Sequence, residues 1–140
     1  MAGNIQPLFA RVGKISWAQI TSAITAADLT SAALIFTADS TNGSILYEIK
    51  VKYLPGTSTG GTPIRIFLNN NGTLSTTTNN SLYTEAFFPA ITSSQTAGTY
   101  DLNIPMSKGG LILPASYRVY ATAPNWTTGT YMVTAFGGDF

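Results

Sequence analysis

At 140 residues the chain has the size of one domain, long enough to bury roughly 68–70% of its extended-chain surface around a single core. Cysteine and histidine are both absent, which excludes disulfides, thiolate or ordinary zinc centres, and Ser-His or Cys-His nucleophile pairs. Charged residues make up 9% of the chain with a net charge of +1, against about 25% charged in ordinary soluble domains. The surface must therefore be dressed in neutral Thr, Ser and Asn, and so little self-repulsion favours association.

The start, MAGNIQPLFARVGK, lacks the basic segment, apolar stretch and small-residue cleavage site of a secretory signal, and no apolar run approaches the ~20 residues of a membrane span. A soluble protein made in a cytoplasm is expected. Residues 1–13 read as an extended N-terminal arm and 14–140 as the folded domain. Within the arm Ile5, Leu8 and Phe9, beside Pro7, are apolar enough to need cover, by folding back or by docking on a neighbouring subunit.

Period-two alternation then dominates. Val12 to Ile20 is a weak strand candidate in which Trp17 follows Ile15 at strand spacing and is expected in the core. The stretch AQITSAITAADL, residues 18–29, offers the best chance of a helix, but Thr21, Ser22 and Thr25 give it poor propensity and no apolar stripe. A second weak strand covers Ala33 to Thr37. Asn42-Gly43 predicts a tight turn into the strongest strand, Ser44 to Leu54. There Ile45, Tyr47, Ile49, Val51 and Tyr53 are expected on one face, with Glu48, Lys50 and Lys52 on the other.

After a loop over residues 54–63, Pro63 marks the start of the next strand because it has no N–H to give to a ladder. Ile64, Ile66 and Leu68 face inward there and Arg65 outward. The segment 69–80 carries no charge and reads as a polar projection, with Asn69, Asn70, Asn71, Thr73 and Thr76 as candidate contact residues. Leu82 to Phe88 is a weaker strand. Later strands place Tyr100, Leu102 and Ile104 inward, then Tyr117, Val119 and Ala121 opposite Arg118 and Tyr120, then Tyr131, Val133 and Ala135 opposite Met132 and Thr134. About eight short strands with several long crossings predict an all-β fold, a single jelly-roll-like antiparallel sandwich.

Chemistry finds little foothold. Six carboxylates, Asp28, Asp39, Glu48, Glu85, Asp101 and Asp139, are the only acid–base groups of their kind, and a glycosidase needs two of them about 5–9.5 Å apart across a cleft. Glu48 and Asp101 sit mid-strand on outward phases, the pattern of a solvated face. DSTNGS, residues 39–44, lacks the acidic spacing and closing Glu of a calcium loop. Asn-x-Ser/Thr triplets at Asn42, Asn71, Asn79 and Asn125 follow from composition. The basic residues are scattered, with Lys50 and Lys52 the only close pair, so neither nucleic acid nor a membrane is an expected partner. No enzyme activity, metal or cofactor is expected. Trp126, in APNWTTGTY, is a candidate aromatic platform for a sugar or a partner protein; the plainer reading tucks it over the end of the sandwich.

The chain resembles phage head decoration (cement) proteins in KISWAQIT (14–21), IRIFLNNNG (64–72), NNSLYTEAFFPA (79–90), LILPASYRVYAT (111–122) and TAFGGDF (134–140). These segments are spread along most of the chain, from residue 14 to residue 140, yet none is a catalytic or ligand fingerprint. The resemblance implies a non-enzymatic structural protein of the virion, bound to the major capsid protein on the outer head surface, often as a homotrimer. It transfers no functional residue. The alternative is a phage fibre or spike subunit, a carbohydrate- or receptor-binding module.

Overall fold

A computed structural model of the chain describes residues 10–54, 58–92, 96 and 100–140. Its strands are β1 (Val12–Ile20), β2 (Ala33–Thr37), β3 (Ser44–Tyr53), β4 (Ser58–Thr59), β5 (Thr62–Asn69), β6 (Asn80–Phe88), β7 (Ile91–Thr92), β8 (Asp101–Pro105), β9 (Leu111–Leu113), β10 (Arg118–Thr122) and β11 (Tyr131–Asp139). Among the described residues the sole helical element is a single 3-10 turn, Thr77–Asn79. The protein is an all-β sandwich of antiparallel sheets, as the alternation predicts.

The first sheet has the order β1-β11-β3-β8, with β9 also paired to β3; the second has the order β2-β10-β5-β6. A small third ladder joins β4 to β7. From β1 to β5 the chain changes main sheet at each step, apart from the small β4; β5 and β6 then pair directly, and crossings resume from β6 to β8 and from β9 through β10 to β11. Between the sheets lie Leu46, Ile49, Val51, Tyr53, Tyr131, Val133 and Ala135 from the first, and Ile35, Ile64, Ile66, Phe88, Val119 and Ala121 from the second. Such alternate inward positions are what a two-layer core requires.

Three β-bulges alter the expected phases. In β3, Glu48 pairs with Phe136 while Leu46 pairs with Gly137, so Tyr47 is the extra residue. Leu46 then takes the inward place expected of Tyr47, which is 48% exposed. Gly137 permits this close approach, since a Cβ there would lie 2.2 Å from the Ile45 carbonyl oxygen. Elsewhere Ile35 is extra against β10, and Tyr83 against β5. Each bulge inserts one residue and reverses the alternation beyond it.

The β1 phase is opposite to the expectation for Trp17. Ser16, Ala18 and Ile20 turn inward, whereas Ile15 and Trp17 point out of the sandwich with exposures of 61% and 64%. The inward phase is needed to close the gap to β2: the Lys14 ammonium donates to the Thr37 carbonyl (2.6 Å) and the Ser16 hydroxyl to the Ile35 carbonyl (2.5 Å). Pairing with β11 also starts earlier than residue 14, at Val12 opposite Asp139, so Val12 and Gly13 belong to the sheet rather than to an arm. Ile5, Pro7, Leu8 and Phe9 lie outside the described residues.

Candidate functional site: two apolar surfaces

The neutral loop is organised around its own backbone. Asn69 is fully buried, which corrects its reading as a contact residue; its Nδ2 donates to the carbonyls of Gly72 (3.2 Å) and Asn79 (3.5 Å) and to Asn80 Oδ1 (2.7 Å). Asn80 Nδ2 in turn donates to the carbonyls of Ala27 and Leu74, both at 2.7 Å. Asn70 Oδ1 accepts the Gly72 N–H, Asn71 adopts the left-handed conformation (φ 68), and the Thr73 carbonyl accepts from both Thr76 N–H and Asn79 Nδ2. Asn70, Asn71, Thr73 and Thr76 remain exposed at the tip.

This clasp holds down the irregular segment between β1 and β2. Leu29 is buried with Phe67 and Tyr120 in a second small core, with Ala27, Ala32 and Leu74 packed around it, and the Leu29 N–H reaches the Leu74 carbonyl (3.2 Å). Tyr120, expected on a solvated face, is buried because this segment crosses over it. Asparagine suits the task because its amide both donates and accepts, satisfying buried loop carbonyls without introducing a charge.

Trp126 is half-buried against the main core, and its Nε1–H donates to the Gly129 carbonyl (3.0 Å). That places it in the plainer of its two readings. The carboxylates are largely engaged locally: Asp28 with Thr30, Asp39 with the amides of Thr41 and Asn42, Glu85 with Arg65 (3.0 Å), Asp101 with Lys52 (2.8 Å), and Asp139 with Lys14 (3.2 Å) and Ser44. Among the described residues no group of three acidic side chains is placed to hold a metal. A shallow cleft of about 220 Å³ between β1 and β2 is lined by Lys14, Ser16, Leu34, Ile35, Phe36 and Thr37, with the Lys14 ammonium already shared between Asp139 and a carbonyl. No described helix is long and apolar enough to cross a membrane.

Three of these carboxyls are held below their ordinary range: Asp28 by the Thr30 hydroxyl and amide, Asp39 by the Asn42 and Thr41 amides, and Asp101 by its bond from Lys52. A depressed folded pKa contributes stability above the unfolded value of 3.8 and loses it as pH falls through the folded value. With no histidine, no side chain with an ordinary pKa titrates between about pH 5 and 8. The urea midpoint is therefore expected to stay level across that range and to fall below about pH 4. A decline between pH 7 and 6 would contradict it.

Two exposed apolar surfaces remain. On the outer face of the first sheet, Ile15 and Trp17 neighbour Phe136 and Thr134 of β11, which neighbour Glu48 and Lys50 of β3. The second lies on β6, the terminal strand of its sheet, where Leu82 (49% exposed) and Phe87 (62%) flank the Arg65–Glu85 ion pair. A terminal strand presents a row of backbone donors and acceptors to any extended segment beside it. Large exposed apolar side chains gathered on one surface, rather than scattered singly, mark contact sites. Compared with known proteins, the chain matches no family model, no curated protein and no solved structure.

Proposed function

We propose that the chain is a non-enzymatic assembly protein of the phage head decoration type, wound as a jelly roll and docked on the outer surface of a capsid lattice. The winding is supported by a five-stranded and a four-stranded main layer whose consecutive strands mostly change layer. The observation that carries the function is the β6 edge: a nine-residue terminal strand with Leu82 and Phe87 outward, on a domain whose carboxylates mostly serve turns and ion pairs. Strand pairing along β6 supplies affinity and the two apolar side chains supply specificity. The major capsid protein is the partner on this reading, self-association into a trimer is the state the resemblance implies, and the apolar segment ahead of β1 is a further contact. Neither nucleic acid nor membrane enters it.

The test uses purified heads of the phage whose genome encodes the chain. A Leu82→Ser/Phe87→Ser variant, changed only at exposed positions, is expected to keep its circular dichroism and to bind heads at least about tenfold more weakly. Unchanged binding by the folded variant would remove β6 as the docking edge.

A further inference from the structure

The outer face of the first sheet is complementary to itself. Its register sets two adjacent rows across β1, β11 and β3: Ile15–Phe136–Glu48 and Trp17–Thr134–Lys50. Glu48 and Lys50 are half-buried on this face, and neither has an ion-pair partner among the described residues. Both rows begin in a large apolar side chain; on β3 one carries a carboxylate and the other an ammonium, and they run on to the uncharged Pro105 and Asn103 of β8.

From this geometry we infer that the face pairs with the same face of a second copy about a twofold axis. The axis lies in the interface, crosses the strands, and passes midway between the two rows. Rotation about it brings Trp17 of one copy over Ile15 of the other, Phe136 over Thr134, and Glu48 against Lys50, with each contact made twice. Two sheets stacked face to face in this way lie about 10 Å apart. An axis running along the strands would instead set Glu48 on Glu48 and Lys50 on Lys50 if it lay over β3, or each charge on the apolar side chain at the β1 end of its own row if it lay over β11. The charges thus select one antiparallel arrangement and oppose the others. A twofold contact of this kind is isologous and closes at two copies. The inference does not rest on docking through the β6 edge, which is a different surface, but it puts a dimer in place of the trimer that the resemblance implies.

Sedimentation velocity at low salt over a wide concentration range tests it. The expected species is a dimer of twice the chain mass, in reversible exchange with monomer. Trp17→Ser, at an exposed position, is expected to weaken dimerisation by at least about 30-fold without altering the fold. Glu48→Lys and Lys50→Glu are each expected to weaken it about tenfold or more by opposing like charges, and the double variant to restore it to within about threefold. A chain that stays monomeric at every concentration overturns the inference, as does a trimer, or a dimer insensitive to Trp17→Ser and to both charge reversals. Head binding is read in a separate assay, so either surface can fail without the other.

Discussion

Replacing Tyr131 by alanine is expected to destabilise the domain by about 3–5 kcal/mol, the range for emptying a large aromatic site in a packed core. Tyr131 is fully buried at the start of β11, with its ring centroid 5.1 Å from that of Tyr53 on β3 and 5.1 Å from that of Phe88 on β6. The Phe88 ring continues edge-on to Tyr100 at 5.4 Å. This chain of rings links the two sheets at one end of the sandwich, and tilted or edge-to-face pairs add to the burial itself. Against a total stability of about 5–15 kcal/mol for a domain, losing the central ring removes about a fifth or more. Urea unfolding should show a much lower midpoint at unchanged slope. Tyr131→Phe, which keeps the ring, should cost far less. A loss below about 1 kcal/mol for alanine would mean that the rings do not join the sheets.

Asn80→Ala is expected to cost about 2–4 kcal/mol, since one side chain makes three hydrogen bonds and its removal strands buried partners. Its Nδ2 caps the Ala27 and Leu74 carbonyls and its Oδ1 receives Asn69 Nδ2. The local signature separates this from general destabilisation: the Leu29 amide, bonded to the Leu74 carbonyl, should exchange its hydrogen faster than amides in β11. Thr76→Ala, at the exposed tip, should leave stability within about 0.5 kcal/mol of the parent. Were the loop only a contact element, Asn80→Ala and Thr76→Ala would cost the same.

The strands were largely legible because half-buried strands alternate. Ile49, Val51 and Tyr53, Leu102 and Ile104, and Val133 and Ala135 all lie where period two places them. Tyr47 was not, because a bulge adds a residue without changing the kinds of side chain around it; its only mark is the glycine opposite, Gly137. Nor did alternation decide which face of β1 turns inward. Both phases carry plausible core residues, and the choice falls to the bonds that Lys14 and Ser16 make to β2, which are remote in sequence. Burial of Tyr120 and Phe67 depends on a crossing segment without periodicity. Asn69 and Asn80 looked like solvent-facing amides because composition alone does not separate an amide that meets water from one that caps a carbonyl. The candidate face is hidden for the same reason as the β1 phase: alternation puts Trp17 inside, and only the register sets it outward in line with Thr134 and Lys50, next to the row of Ile15, Phe136 and Glu48.

The assembly reading is tested most directly by cosedimentation of the unmodified protein, over a range of added protein, with purified heads of the phage that this reading proposes as its source. Saturable pelleting, at a fixed number of copies per head and insensitive to moderate salt, is the predicted result for contacts made by backbone pairing and apolar side chains. Protein that stays in the supernatant at every concentration would contradict it.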